Sequence, residues 1–405
     1  MDRRVVITGA GAICALGHDA RQLWAGMREG TSAIGPLVGF DDHDMRVRIA
    51  AQVRDYDPAQ YFDPKKLPLL DRVSQFAVIA AREAVAQSGL SFRDTPLADR
   101  CACVIGTGVG GEVAHDDASK RLYQEGNPRL HPLTVVRIMP SAPTSQVSIE
   151  LGITGPSFGV TSACATSNHA FAQALALVRS GMADVAVAGG TEACITLGTL
   201  RAWEAMRVLA IDTCRPFSRQ RTGLVLGEGA GMLVLEAFDY ARARGADILA
   251  EFAGAGMSAD AGDIVMPSAA GAARAISAAL RDARLNPEDI DYINAHGTAT
   301  PANDPTETRA LHTALGERAK TVAISSTKSV HGHALGAAGA LEVIAALGAL
   351  REGVIPPTAN FLDPDPECDL DYVPNTAREA PVRAVLSNAF AFGGLNAVVA
   401  LKRAP

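Results

Sequence analysis

The chain has 405 residues, 48% hydrophobic, 20% charged and 5% aromatic, enough for a large core and for two or three domains. Its 37 Lys and Arg against 44 Asp and Glu leave a net charge of −7, which argues against general nucleic-acid binding. Seven cysteines with no CxxC spacing point to neither a zinc site nor a disulfide framework, and to a reducing cytoplasm. Residues 1–16 join a basic start to an apolar run and so imitate an export signal. The β-branched residues 5–8 followed by glycines read instead as a first strand and turn. A helical pattern over 74–88 closes at Gly89. A buried-strand signal at 101–105 leads into Gly106-Thr-Gly-Val-Gly-Gly111, which formally matches GxGxxG. A dinucleotide-binding dehydrogenase is disfavoured, because 112–129 is strongly polar and no second strand ends in an acidic residue at the expected distance.

The run Gly159-Val-Thr-Ser-Ala-Cys-Ala-Thr-Ser-Asn-His169 places Cys164 where a strand-like stretch gives way to a helical pattern over 170–180, closed by Gly181. Unpaired N–H groups near a helix start favour a thiolate; a small buried apolar cysteine is the competing reading. Strand signals follow at 184–188 and 231–235, and a soft domain boundary falls at 238–249. Beyond it come a helix at 269–284 and strands at 290–294, 322–325, 383–386 and 396–401. Residues 334–350 are apolar apart from Glu342. A carboxylate in mid-span is costly in lipid, so this segment reads as a helix buried in protein, with no membrane span. Continuous apolar strands alternating with helices predict layered α/β architecture with both sheet faces covered. A faint echo links the two parts, because Cys164 and His333 each precede an Ala-rich helix ending in Arg-x-Gly.

Three further segments join Cys164 as candidates for chemistry. They are Asn294-Ala-His-Gly-Thr-Ala-Thr-Pro-Ala-Asn-Asp304, Ser325-Ser-Thr-Lys-Ser-Val-His-Gly-His-Ala-Leu-Gly-Ala-Ala-Gly339 and Ser387-Asn-Ala-Phe-Ala-Phe-Gly-Gly-Leu-Asn396. Each follows a strand, where open α/β sheets place ligands. Histidines beside a cysteine activate it or donate hydrogen bonds to a substrate oxygen.

In this order the four segments resemble those of β-ketoacyl-acyl-carrier-protein synthases of the elongating type, over nearly the whole chain. The resemblance implies a thiolase-like fold, with duplicated halves in five α-β-α-β-α layers. The halves expected are residues 1–248, carrying the nucleophile, and 249–405, carrying two histidines. It also implies a homodimer, an acyl-carrier-protein partner, and no cofactor or metal, since the substrate thioesters bring their own phosphopantetheine. By the same resemblance Cys164 is the acyl-accepting nucleophile and His296 and His333 complete a Cys-His-His set. Lys328 and Glu342 match the lysine and buried acid beside them, and the N–H groups of Cys164 and Phe392 match an oxyanion hole. Thr298 and Thr300 match contacts to the pantetheine arm, Phe390 and Phe392 the gating loop, and Val109 and Trp203 the acyl pocket. Lys65, Lys66 and Arg207 are expected to dock the acidic carrier. Asn303, Asp304 and Glu307 are expected to order their loop, with a structural monovalent cation left open.

The activity implied is decarboxylative Claisen condensation of acyl-Cys164 with malonyl-carrier protein, lengthening a fatty acyl chain by two carbons. The second reading is a specialised, nodulation- or polyketide-type synthase making an unusual acyl chain, because stretches such as Trp203–Ala210 and Thr213-Cys-Arg-Pro-Phe-Ser218 also resemble nodulation-type synthases. His331 departs from the family pattern two residues before His333, and Leu395 and Ala391 depart from it in the glycine turn. A thiolase is disfavoured because the second cysteine offered, Cys368, lies outside that turn and reads as surface. A non-catalytic chain-length factor is disfavoured by the presence of Cys164 and both histidines.

Overall fold

The structure, a computed structural model, describes residues 3–39 and 44–404; the first two residues of the expected basic start lie outside them. Ten strands form the main sheet: β1 (Val5–Cys14), β2 (Cys101–Gly106), β3 (Ser157–Val160), β4 (Val185–Glu192), β5 (Gly229–Ala237), β6 (Ala250–Ala259), β7 (Tyr292–Asn294), β8 (Ala323–Ser325), β9 (Ala384–Ala391) and β10 (Leu395–Arg403). Their spatial order is β8-β7-β9-β10-β6-β1-β5-β4-β2-β3. Read outward from the middle, β1-β5-β4-β2-β3 and β6-β10-β9-β7-β8 are the same order with five added to each strand number. The senses match as well. The pairs β2–β3, β2–β4, β7–β8 and β7–β9 are parallel, and β4–β5, β1–β5, β9–β10 and β6–β10 are antiparallel. The halves meet where β1 pairs with β6 through Val6–Glu251 and Ile7–Ala250.

Six helices complete the duplication: α1 (Arg72–Ser88), α2 (Ala142–Leu151), α3 (Thr166–Arg179), α4 (Ala269–Ala283), α5 (Asn303–Leu315) and α6 (Ala338–Glu352). α1 and α2 cover one outer face, α4 and α5 the other, and α3 and α6 lie between the two half-sheets. Three apolar clusters fill the spaces. Phe76, Val147 and Ile105 pack under α1 and α2; Phe171, Leu175, Leu341 and Ile344 pack in the middle; Ile276, Leu311 and Ile293 pack under α4 and α5. The five-layer, duplicated fold expected above is therefore the one observed. Continuous apolar strands arise because β4, β5 and β9 are buried along their whole length.

The helix expected from residue 170 starts four residues earlier, at Thr166. The polar residues Thr166, Ser167 and Asn168 hid its first turn, yet all three are buried. α6 is buried nearly throughout and carries Glu342 inside the protein. No helix among the described residues is long and apolar enough to cross a membrane.

Candidate active site

β3 ends before a three-residue 3-10 turn, Ala163–Ala165, which runs directly into α3. Ala163 adopts a left-handed φ of 47°, a strained conformation costing about 1 kcal/mol or more that a non-glycine residue keeps only when its surroundings fix it. The turn presents Cys164 to a cavity of about 260 Å³. His296, beyond the end of β7, and His333, in the loop after β8, line the same cavity, as do Thr298, Thr300, Phe390 and Phe392. Four separate sequence segments thus converge on one chamber.

Burial pushes the Cys164 thiol up to about 11, against the opposing pull of the Lys328 charge and of N–H groups from Phe392 and Cys164 itself. The helix-start argument alone favoured a resting thiolate; desolvation outweighs it here. The same two N–H groups stand at the sulfur where an oxyanion hole was expected.

The histidine tautomers follow from their partners. Nδ1 of His333 accepts the Leu335 N–H at 3.2 Å, so the ring proton sits on Nε2, which is buried without a protein partner. Lys328 Nζ donates to Nδ1 of His296 at 3.4 Å, which likewise leaves the proton on Nε2. Both histidines are held well below 6.5, by burial first and then by the nearby Lys328 charge. The cavity therefore holds two neutral N–H donors with ring centroids 5.5 Å apart. Phe390 lies edge-on to His296 at 5.9 Å.

Lys328 and Glu342 stand behind the histidines, both fully buried and ion-paired to each other. Lys328 Nζ also donates to the His296 carbonyl at 2.7 Å. Burial raises the Glu342 carboxyl to about 7 in spite of the lysine. Glu307 accepts the N–H groups of His296 and Gly297 at 2.9 and 2.7 Å, and Asp304 accepts those of Phe217 and Ala299. These carboxylates spend their oxygens ordering the 294–304 loop. Among the described residues no group of three His, Cys, Asp or Glu side chains is arranged to hold a metal.

Other expected positions divide. Thr298 and Thr300 share a hydrogen bond of 3.0 Å at the cavity wall, and Arg207 is exposed at its rim. Trp203 packs 5.9 Å from Phe392 without lining the cavity. Val109 also lies outside the cavity lining and is 41% exposed. Lys65 and Lys66 are exposed elsewhere, with Lys66 paired to Glu150 on α2, so they do not share the Arg207 rim. His331 is buried against Thr327 and does not line the cavity. Cys368, expected in a surface turn, is instead buried, because its turn folds back under the outer helices of the second half. Gly393 and Gly394 take positive φ in the turn after β9, so the methyl of Ala391 sits on ordinary strand backbone.

Sequence reasoning missed Glu192. At the end of β4, it is fully buried and accepts hydrogen bonds from Thr107 Oγ1 (2.9 Å) and from the N–H groups of Gly108 (2.7 Å), Val109 (3.3 Å) and Gly336 (2.9 Å). The amides of the GxGxxG-like loop are thus committed to an internal carboxylate rather than open to a phosphate. The acid ending an otherwise apolar strand was the available signal.

Family models described as "Beta-ketoacyl synthase, N-terminal domain" and "Beta-ketoacyl synthase, C-terminal domain" match residues 2–241 and 249–362. Over 403 residues and the full length of both chains, the sequence is 53% identical to nodulation protein E of Rhizobium meliloti (strain 1021). It is 42% identical to 3-oxoacyl-(acyl-carrier-protein) synthase 2 of a Synechocystis strain, covering 99% of this chain and 98% of the relative. Among solved structures, the ishigamide ketosynthase/chain length factor superposes with TM-score 0.95 at 37% identity over all of both chains. A type II PKS ketosynthase complex with its acyl-carrier protein, bound to the hexaketide, gives 0.91 at 29%, again over all of both chains.

Proposed function

The chain belongs to the β-ketoacyl synthase family, a family of condensing acyltransferases, and we propose that it is a specialised synthase building an unusual acyl chain on a carrier protein. The observation carrying the chemistry is the single cavity holding Cys164 and the Nε2–H donors of His296 and His333.

Cys164 Sγ attacks the acyl-thioester carbonyl, and the N–H groups of Cys164 and Phe392 hold the resulting oxyanion. Collapse expels the phosphopantetheine thiolate, which takes up the proton lost by the cysteine, and leaves acyl-Cys164. Malonyl-carrier protein then enters past Phe390, Phe392, Thr298 and Thr300. Cleavage of its carboxylate bond releases carbon dioxide and leaves the electron pair as an enolate. The enolate oxygen accepts hydrogen bonds from His296 and His333, which need no proton transfer to serve as donors. Lys328, held by Glu342, fixes His296 and adds positive charge behind the enolate. Carbon attack on the acyl-Cys164 carbonyl forms the new bond, and the Cys164 thiolate departs from a 3-oxoacyl product two carbons longer.

Ordinary fatty-acid elongation is the less favoured reading, since full-length identity is 53% to the nodulation protein and 42% to the synthase 2 relative. Trp203 reaches the cavity only through its contact with the gate residue Phe392, whose position it backs with a bulky ring. Residues 1–248 and 249–405 are taken as the two halves, supported by their repeated strand order. A homodimer is supported by the exposed edge strand β3, with Phe158 40% exposed on it and Val135 and Val136 exposed elsewhere on the surface. Carrier docking at Arg207 suits an acidic partner, and a cytoplasmic setting suits seven unpaired cysteines. Competing saturated against unsaturated and 3-oxo acyl-carrier primers, with products read by mass spectrometry, tests the specialised role. A preference for an unusual primer is expected; equal use of the saturated series with no other product contradicts it.

A further inference from the structure

Glu192 joins the two halves at the turn that holds His333. β8 leads through the Lys328–Gly332 stretch to His333, and then to a 3-10 turn, Leu335–Ala337, that runs into α6. This turn is the counterpart of Ala163–Ala165 before α3. Each begins on a left-handed residue, Leu335 at φ 41° and Ala163 at φ 47°, so Gly336 stands where Cys164 stands. In the first half the N–H of that position faces a sulfur and a cavity. In the second half it donates to Glu192 Oε2, which the Gly108 N–H also reaches. The carboxylate fills the mirror site from within.

The fit leaves no room for side chains on the two glycines. A Cβ on Gly108 or on Gly336 would lie 2.7 Å from Glu192 Oε2. The Gly336 carbonyl is tied in turn by the hydroxyl of Ser167, three residues beyond Cys164. The turn is therefore clamped at its N–H by Glu192 and at its carbonyl by α3. Its preceding peptide, the Leu335 N–H, is the donor that fixes Nδ1 of His333.

We propose that Glu192 is a positioning residue for His333, holding the Leu335–Gly336 turn so that the Nε2–H of His333 is presented to the enolate. The inference deepens the condensation reading and rests on it. Glu192 touches no substrate. Its removal leaves the Gly336 N–H buried and unpaired and takes the acceptor from the half-buried Gly108 and Val109 N–H groups, and the turn relaxes to recover partners. Cys164 sits on its own turn, Ala163–Ala165, in the half opposite the Leu335–Gly336 turn, and none of the hydrogen bonds to Glu192 comes from it, so acyl transfer is spared while decarboxylation suffers.

The test measures two half-reactions separately: Cys164 acylation by intact mass, and carbon dioxide release from malonyl-carrier protein. Glu192→Leu is expected to slow decarboxylation by about tenfold or more while acylation falls by less than about threefold, in line with unpaired buried donors. Glu192→Gln keeps one acceptor oxygen for Gly108 and Gly336 and is expected to restore most of the rate. Gly108→Ala, which pushes the carboxylate from the other side, is expected to reproduce the selective loss and decides the matter if the leucine variant does not fold. Equal loss of both half-reactions in these variants, or loss of neither, overturns the proposal. A wild-type chain showing neither half-reaction overturns instead the condensation reading beneath it.

Discussion

Cys164 and Gly336 occupy matching places in the two halves, each the middle residue of a three-residue turn that feeds a central helix. One carries the thiol; the other carries no side chain and gives its N–H to Glu192. On the proposed reading the duplicated fold is divided by task, the first half offering a nucleophile at the turn and the second offering His333 just ahead of it.

Replacing the nucleophile separates these tasks. Cys164→Ala is expected to abolish acylation and condensation and to leave malonyl decarboxylation measurable, because His296, His333 and Lys328 do not depend on the sulfur. Carbon dioxide release and 3-oxoacyl product are assayed in parallel; normal product from this variant contradicts the assignment.

The two neighbouring histidines are expected to behave differently. His333 lines the cavity, whereas His331 is buried against Thr327. His333→Ala should lower condensation by about a hundredfold or more, as expected for loss of a transition-state donor. His331→Asn should change it by less than about threefold on the same scale. Steady-state condensation rates decide, and equal losses contradict the geometry.

The pH dependence of Cys164 follows from its raised pKa. A group at about 11 is a thiol at neutral pH, so iodoacetamide labelling should climb with pH by about tenfold per unit until the thiolate fraction saturates. Intact mass against time gives the rates; a plateau already at pH 7–8 contradicts the account. Decarboxylation should not share this pH dependence. His296 and His333 are depressed below 6.5, so they remain neutral donors as pH falls through 6.5, and carbon dioxide release should show no inflection there.

The buried pair Lys328–Glu342 predicts a stability effect. Lys328→Met leaves Glu342 inside α6 without its cation, and breaking such a pair costs about 3–5 kcal/mol. The double variant Lys328→Met/Glu342→Leu removes both charges and should recover much of the loss. Urea unfolding midpoints measure this; a single variant as stable as wild type contradicts the pairing.

Much of this was legible before folding. Continuous apolar strands announced covered sheets, and Glu342 in an apolar helix announced an internal partner. The four motif segments were visible, and their places at strand ends pointed to one site; the distances and tautomers within it were not legible, since they are set only once the ends of β3, β7, β8 and β9 meet. The echo between Cys164 and His333 pointed to the right helices while missing the register, because the true counterpart, Gly336, has no side chain to notice. The start of α3 was hidden by polar residues that proved to be buried. The choice between a helix-end thiolate and a buried neutral Cys164 stayed open in the sequence, because a local helix-end argument carries no information about desolvation by neighbouring segments, which raises the thiol to about 11. Glu192 escaped notice because its four donors come from residues 107–109 and 336, far apart in sequence.

Intact-mass measurement of the wild-type chain after mixing with a panel of acyl-carrier proteins tests the central claim most directly. The account predicts a mass increase of one acyl group, localised by peptide mapping to Cys164, and release of that group as 3-oxoacyl product when malonyl-carrier protein is added. An unmodified Cys164 across the panel, or an acyl group that malonyl-carrier protein does not discharge, would contradict it.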